Sequence, residues 1–437
     1  MFSINNALYF ITILCFIEVI IFADNLLGTQ SKKDIIIVIL FLFLGVFFLY
    51  SSKRSMGYKK NLITLLISFL ISIGATEFLL GTLYDNYDKI PKIKNLGIDF
   101  DERNRFEVVS DRRKKGEKIY GMVPGYLKLS LNNSFIFPLR GGPKNSNTVY
   151  CNESGAYSTY LSDEFGFNNP QGLWKSKIID VAFIGDSYTQ GACVSTKENF
   201  VSRIKIQSPN SLNLGYSGTG PLIQLGIMKE FLNQKNIKHM IWSYYEGNDL
   251  AELDIEKKIP TLRNYLKENF SQNLVSKQEK VNEAIIDYLE NFSNNPPKKA
   301  GSSIFDFLKH PTILVPNIRK FFNRFLYQYQ SFDDWSLYKE ILNQGKQFVE
   351  QRKGTLVFVY LPEFYRYDGI ITSKAKLKSK VLNIVRSLNI HIIDMDLEFR
   401  KSQDPREFFP FKMRGHYNEK GYTIVAQAIR DYLNTSK

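Results

Sequence analysis

Ser187 follows a short apolar segment, in a position where a side-chain hydroxyl can act as a nucleophile. The segment, residues 178–184, is rich in β-branched residues and is followed by Gly185, which is typical of a buried strand. A helical pattern begins soon after Ser187. Open α/β sheets bind their ligands at the carboxyl ends of such strands. Because a helix N-terminus favours negative charge, the Ser187 N–H is expected to face an anion.

Three further groups of polar and glycine residues lie at the ends of predicted strands or just before the last predicted helix. They are residues 213–220, 246–249 and 415–421. Acyl transfer needs a nucleophilic hydroxyl, a base that accepts its proton, and donors for the oxyanion that develops on the substrate. The sequence predicts that Ser187 is the nucleophile and His416 is the base.

The oxyanion donors are expected to come from the ends of three predicted strands. The candidates are the N–H groups of Ser187 and Gly218 and the side-chain amide of Asn248. A glycine suits the second position, because without a Cβ its N–H can approach a ligand closely.

Five short apolar segments are predicted strands, and helical patterns lie between or after them. The predicted strands are residues 180–184, 211–215, 239–244, 355–360 and 390–395. The predicted helices are residues 222–234, 335–351, 374–388 and 419–433. This alternation predicts an α/β domain with a parallel five-stranded sheet covered on both faces. The carboxyl ends of the strands then share one edge, where the candidate residues collect.

These groups resemble the four sequence blocks of the SGNH (GDSL-type) hydrolase family, which is named for Ser, Gly, Asn and His. Residues 185–187 match the first block, residues 217–218 the second, and residues 247–249 the third, while His416 matches the histidine of the fourth. The resemblance covers roughly residue 177 to the C-terminus, without an insertion between the third and fourth strands.

The resemblance implies a three-layer α/β/α sandwich with a flavodoxin-like sheet. Family members are esterases, lipases, thioesterases and carbohydrate O-acetyl esterases, and some related membrane-linked members transfer acetyl groups onto exopolysaccharides. Residues 151–170 also resemble the segment that precedes the hydrolase domain in bacterial membrane-anchored members tied to surface polysaccharide. No cofactor is implied, and no cysteine has the spacing of a metal site.

One feature of the sequence departs from the family pattern. The family usually has an aspartate two or three residues before the histidine, where this chain has Arg414 and Met413. Loss of such an acid costs on the order of 10⁴ in turnover in a serine protease. Three alternatives follow: a backbone carbonyl orients His416, another acid replaces the aspartate, or the domain binds its ligand without efficient catalysis. The nearest acids in the sequence are Asp396, Asp404 and Glu407.

Three apolar runs open the chain, at residues 8–23, 35–50 and 62–83. With flanking residues each reaches the ~20 residues that cross a bilayer, which predicts three transmembrane helices within residues 1–84. The loop at residues 51–60 holds four lysines and arginines and no acid, so the positive-inside rule places it in the cytoplasm. The rest of the chain is then extracytoplasmic, and the expected location is the inner membrane of a bacterial cell.

Residues 85–176 are dense in Gly, Pro, Asn and aromatic residues, which predicts a β-rich lead-in to a hydrolase-like domain at residues 177–437. Residues 250–334 form a lysine-rich helical insertion after the third predicted strand. Because the insertion is too long for a simple connection, it is predicted to be a lid or cap on the ligand edge.

Cys151 and Cys193 lie on either side of the start of the predicted hydrolase-like domain, which contains Ser187. In an exported domain these two cysteines can form a disulfide. The alternative is a pair of buried free thiols.

The chain has 57 Lys and Arg against 43 Asp and Glu, a net charge of +14. Solvated lysine-rich helices and membrane-flanking cations account for this excess, and attraction to anionic lipid or an acidic glycan is the more specific alternative. Zinc-finger spacing, RNA-recognition motifs and a basic helical stripe are absent from the sequence, which argues against a nucleic-acid partner.

The sequence therefore predicts an extracytoplasmic serine esterase or O-acyltransferase, with O-acetyl groups on a cell-surface polysaccharide as its expected substrate. Its expected partners are the membrane, the acylated glycan and a membrane acyltransferase. The alternative is a catalytically weak subunit that binds glycan or assembles a polysaccharide-modifying membrane complex.

Overall fold

The computed structural model describes residues 9, 12–13, 42–44, 46–85, 89–131, 134–294, 332–369 and 373–436. The chain divides into two compact units, Met1–Asp88 with Pro297–Tyr327 and Lys89–Pro296 with Gln328–Lys437. The second unit contains the predicted lead-in from residue 89 onward and the predicted hydrolase-like domain apart from residues 297–327.

Within the described residues, the first unit has one helix that is long and apolar enough to cross a membrane. Helix α1 spans Met56–Asp85, and its apolar part is Met56–Leu79. A second apolar helix, Leu42–Ser52, is shorter than the ~20 residues that cross a bilayer. The predicted span at residues 8–23 lies almost wholly outside the described residues. The described residues thus support one candidate span, by length and composition, where the sequence predicts three.

The second unit begins with two helices and five short strands. They are α2 (Lys89–Asn95), α3 (Arg105–Lys114), β1 (Ile119–Gly121), β2 (Leu129–Leu131), β3 (Ser134–Ile136), β4 (Asn147–Val149) and β5 (Thr159–Leu161). Strand β4 pairs in parallel with β1 and antiparallel with β5, and β2 pairs antiparallel with β3. The predicted β-rich segment is thus made of short strands that follow two helices.

A parallel five-stranded sheet forms the centre of the second unit. Its strands are β6 (Ile178–Ile184), β7 (Leu212–Asn213), β8 (Asn236–Tyr245), β9 (Thr355–Leu361) and β10 (His391–Asp394). Their order across the sheet is β10-β9-β8-β6-β7, and every pairing is parallel. Each predicted strand overlaps an observed strand, which confirms the parallel five-stranded sheet.

Helices flank this sheet, and both of its faces are buried. The helices are α4 (Ser187–Gln190), α5 (Phe200–Lys205), α6 (Pro221–Phe231), α7 (Asp249–Glu256), α8 (Pro260–Arg263), α9 (Gln278–Asn294), α10 (Trp335–Glu350), α11 (Ser373–Ser387), α12 (Met395–Phe399) and α13 (Glu419–Thr435). Short 3₁₀ turns are Leu173–Lys175, Thr196–Glu198, Asn264–Leu266, Phe364–Arg366, Pro405–Phe408 and Pro410–Lys412. Because side chains alternate along a strand, Val181 and Phe183 join one apolar cluster while Ala182 and Ile184 join the other.

The described part of the predicted insertion is mostly helical and contacts the lead-in. The backbone N–H of Lys144 donates to Asn282 Oδ1 at 2.7 Å, and the Lys144 ammonium pairs with Glu279 on helix α9. The side chain of Arg140 donates to Gln278 on the same helix. The predicted lid stays a prediction for residues 295–331, which lie outside the described residues.

Gly345 allows helix α10 to lie close to the sheet. A Cβ at this position would overlap the ring of Trp242, which lies on β8 and is 1% exposed. The ring is also held by its Nε1–H, which donates to Gln224 Oε1 at 2.6 Å. A side chain at residue 345 therefore forces the helix away from the sheet.

We expect the substitution Gly345→Ala to lower the free energy of unfolding by about 1–3 kcal/mol, the usual cost of overpacking a core. Alanine favours a helix over glycine by only ~1 kcal/mol, which does not offset a severe overlap. The measurement is thermal or denaturant unfolding, with Gln347→Ala at an exposed position of α10 as the control. Equal stability of the two variants would contradict the close contact.

Candidate active site

Strand β6 and the short helix α4 place Ser187 at the carboxyl edge of the sheet. Gly185 connects the two, and a Cβ there would overlap Thr189 Oγ1 and lie 2.9 Å from Ser243 O. Asp186 caps the helix, since its Oδ1 accepts a hydrogen bond from Tyr188 N at 2.9 Å. The turn is therefore fixed at both sides of Ser187, whose side chain is largely buried.

His416 lies beside this serine, as the sequence predicts. Its Nε2 is 2.9 Å from Ser187 Oγ, a distance at which a proton can pass between them. The neighbouring Tyr417 holds the loop by donating its hydroxyl to Pro362 O at 2.8 Å, and the His416 ring packs on Tyr188 with centroids 4.8 Å apart. These contacts leave Nε2 directed at the hydroxyl.

Glu153, from the lead-in, lies behind His416. Its Oε1 is 3.2 Å from His416 Nδ1, and its Oε2 accepts the backbone N–H of His416 at 2.6 Å. A carboxylate at this position keeps the proton on Nδ1, so the lone pair of Nε2 faces Ser187. Ser187, His416 and Glu153 are thus arranged as the nucleophile, base and orienting acid of a serine hydrolase triad.

The structure places the three acids named from the sequence elsewhere. Asp396 accepts from Lys378 at 2.7 Å and from Arg400 at 2.9 Å. Asp404 pairs with Arg406 and Lys412, and Glu407 with Ser402 and Lys420. These three acids were chosen because they lie near His416 in the sequence. Glu153, the acid that contacts His416, lies 263 residues earlier.

A disulfide between Cys151 and Cys193 joins the segment of Glu153 to the segment of Ser187. The Cα atoms of the two cysteines are 5.0 Å apart. Of the two alternatives open at the sequence level, the structure thus has the disulfide rather than two free thiols. It was also the signal that could have found Glu153, because it ties residues next to Glu153 to the loop after the nucleophile.

The three proposed oxyanion donors come from adjacent strands. Gly218 follows β7 and Asn248 follows β8, and these strands are the two neighbours of β6 in the sheet. Gly218 has a φ of +70°, which favours glycine. Gly125 of the lead-in packs closely on the Gly218 carbonyl. A Cβ on Gly125 would overlap the Gly218 oxygen. Among the described residues, the buried Oδ1 of Asn248 has no hydrogen-bond partner.

Two buried carboxyl groups lie beneath the site. Asp186 and Asp249 are both fully buried, and the Oδ2 of Asp249 accepts from Tyr245 N at 3.3 Å. Burial raises the pKa of Asp186 to about 6. Burial and the charge of Asp186 raise the pKa of Asp249 well above its ordinary value. Burial thus favours the neutral form of both carboxyl groups.

The raised pKa of Asp186 predicts a pH-dependent stability. Between its ordinary pKa of 3.8 and about 6, the folded protein holds a proton that the unfolded chain has released. The stabilisation is therefore complete below the lower value and is lost as the pH rises through the upper one. The variant Asp186→Asn, which keeps the neutral form, should match the wild-type protein at pH 4 and exceed it by about 1–3 kcal/mol at pH 7.

Unfolding measurements across this pH range test the prediction. Asp431→Asn serves as the control, because Asp431 is exposed on helix α13. A difference between Asp186→Asn and the wild-type protein that stays constant with pH would refute it.

The chain has structural likenesses among solved structures. Neither a scan against protein-family models nor a search of curated proteins finds a match for this chain. Among solved structures, the chain is similar to a two-domain esterase active on acetylated mannans, in a crystal structure with mannopentaose. The TM-score is 0.32 and the identity 14%, over 60% of this chain and 50% of that one. The match thus spans about half the length of that esterase.

Proposed function

We propose that this protein is a serine esterase or O-acyltransferase that acts on acyl esters, with Ser187, His416 and Glu153 as its catalytic triad. One observation carries the proposal: Ser187 Oγ, both ring nitrogens of His416 and the Glu153 carboxylate form an unbroken series of contacts of 2.9 and 3.2 Å. A nucleophile, a base and an orienting acid in this order are what acyl transfer requires.

In the proposed mechanism, Ser187 Oγ attacks the acyl carbonyl while His416 Nε2 takes its proton. Glu153 stabilises the imidazolium that forms, without itself becoming protonated. The N–H groups of Ser187 and Gly218 and the side-chain amide of Asn248 hold the oxyanion. His416 then returns the proton to the departing alcohol oxygen as the ester bond breaks, which leaves an acyl group on Ser187.

Water or a sugar hydroxyl completes the proposed cycle. His416 removes a proton from the incoming hydroxyl, which attacks the acyl-enzyme and frees Ser187. Water as the acceptor gives an esterase, and a sugar hydroxyl gives an O-acyltransferase. The proposed substrate is an O-acetylated cell-surface polysaccharide.

We place this chemistry outside the cytoplasm, next to the membrane. Two features support the placement: the Cys151–Cys193 disulfide, which is typical of exported domains, and helix α1, which precedes the second unit and is apolar enough to anchor it. The alternative of a catalytically weak binding subunit was motivated by Met413 and Arg414 at the usual acid positions. The position of Glu153, 3.2 Å from His416 Nδ1, supports the enzyme rather than this alternative.

A fluorophosphonate probe, which reacts with activated serines, tests the nucleophile. We expect the wild-type chain to be labelled and Ser187→Ala to remain unlabelled, because the probe needs the Oγ that His416 activates. Ser195→Ala, at an exposed position of the same region, should label like the wild-type protein. Labelling that survives in Ser187→Ala, or that is absent from the wild-type chain, would overturn the proposal.

The substitution Glu153→Gln tests the acid. We expect it to lower kcat for an acetyl ester such as p-nitrophenyl acetate by about 10²–10⁴, with little change in KM, because a neutral amide no longer stabilises the imidazolium. Glu407→Gln is the matched control and should retain wild-type kcat. Equal activities of the two variants would show that Glu153 does not orient His416.

A further inference from the structure

Three different metal-ligand types converge on the acid side of His416. Cys193 Sγ lies 3.8 Å from His416 Nδ1, and Glu153 Oε1 lies 3.2 Å from the same nitrogen. The ligand atoms of Glu153, Cys193 and His416 all lie within 4.8 Å of one another. A thiolate, an imidazole and a carboxylate are the ligands that zinc prefers in proteins.

The spacing of these atoms is close to that of a tetrahedral metal site. With a metal–sulfur bond of ~2.3 Å and metal–nitrogen or metal–oxygen bonds of ~2.0–2.2 Å, adjacent ligand atoms lie about 3.3–3.6 Å apart. Two of the separations, 3.2 and 3.8 Å, are already near this range. The third separation, between Cys193 Sγ and the Glu153 carboxylate, enters this range with small rotations of the two side chains. Water can be the fourth ligand of the ion.

An ion can reach this position from solvent. The side chains of His416 and Glu153 are 25% and 20% exposed, so they form the open side of the cluster. Cys193 forms the closed side, since it is almost fully buried. Its sulfur is bonded to Cys151, and a disulfide sulfur lacks the negative charge that binds zinc.

We propose that the Cys151–Cys193 disulfide covers a latent site for zinc or a similar divalent ion, which reduction of the disulfide opens. A dithiol reductant reduces the bond by thiol–disulfide exchange: one of its thiolates attacks a disulfide sulfur, and its second thiol closes the reductant's own disulfide. This releases Cys151 and Cys193 as thiols. Cys193 then loses its proton to solvent, and its thiolate binds the ion with His416 Nδ1 and the Glu153 carboxylate.

Metal binding would prevent His416 Nε2 from accepting the proton of the Ser187 hydroxyl. An ion on Nδ1 displaces the proton that Glu153 accepts, so the neutral imidazole carries its proton on Nε2 instead. Nε2 then has no lone pair for the Ser187 hydroxyl. This inhibition rests on the proposed function, whereas the metal site itself does not.

Two cysteine variants of the full-length chain form a matched pair for the test. Cys151→Ser and Cys193→Ser both abolish the disulfide, but only Cys151→Ser leaves a thiol at the proposed site. We expect Cys151→Ser to bind one Co²⁺ per chain, with a cobalt–thiolate charge-transfer band that Zn²⁺ abolishes by displacing the cobalt. Cys193→Ser should lack the band and bind at least ~100-fold more weakly, because loss of a ligand should cost no less than loss of an outer-shell partner, which costs ~10–100-fold.

The wild-type chain tests whether reduction of the disulfide opens the metal site. The oxidised protein should show no band, and reduction by a phosphine followed by removal of the reductant should produce it. Equal Co²⁺ binding by the two cysteine variants would overturn the proposal. So would the absence of the band from Cys151→Ser while that variant still unfolds cooperatively. Adding Glu153→Gln to Cys151→Ser should weaken binding ~10-fold or more, and unchanged affinity would remove the carboxylate from the site.

Fluorophosphonate labelling separates the metal site from the proposed function. Zn²⁺ should block labelling of Cys151→Ser reversibly, with recovery after a chelator, and should leave Cys193→Ser unaffected. Labelling of Cys151→Ser that persists while Zn²⁺ is bound would overturn the inhibition. If the oxidised wild-type chain is not labelled, the proposed function fails, and the cobalt band still decides whether the metal site exists.

Discussion

The contact between Glu153 and His416 is the interaction on which the candidate site depends. Without it the ring of His416 has no fixed tautomer, and the 2.9 Å contact to Ser187 loses its direction for proton transfer. Glu153 holds the ring nitrogen and the backbone N–H of the same residue, so one carboxylate sets both the tautomer and the loop position. The lead-in segment is therefore part of the site rather than an accessory to it.

The lead-in also contacts the loop of Gly218, on the opposite side of Ser187. Gly125 packs on the Gly218 carbonyl, and the neighbouring Tyr126 donates its hydroxyl to Glu252 on helix α7. Glu256, one turn further along α7, accepts the N–H of Leu222 at 2.9 Å at the start of helix α6. The loop that carries Gly218 is thus held between the lead-in and the first helix of the insertion. Loops between the short strands of the lead-in thus contact the site on both sides of Ser187.

Local patterns in the sequence were sufficient for the sheet and for the proposed nucleophile and base. Apolar runs with β-branched residues mark the strands, and glycine-bounded polar segments mark Ser187 and His416. Glu153 was missed because its role depends on how a separate segment folds back over the sheet, and no local pattern encodes that. Apolar composition predicts three membrane spans, whereas the described residues contain one helix long enough to cross a bilayer and the shorter apolar helix Leu42–Ser52.

The distribution of the site along the chain sets the order in which its parts become available. Glu153 and Ser187 lie in the first half of the chain, whereas His416 lies just before helix α13, close to the C-terminus. Helix α13 packs against α5 and the Pro405–Phe408 turn. Just after His416, the backbone N–H of Asn418 donates to Phe408 O of that turn at 2.9 Å. During synthesis the Ser187 hydroxyl therefore cannot contact His416 until the chain through residue 416 has been made and has folded onto the sheet. The contact between Ser187 and His416 thus forms late in synthesis, after all five strands of the sheet have been made.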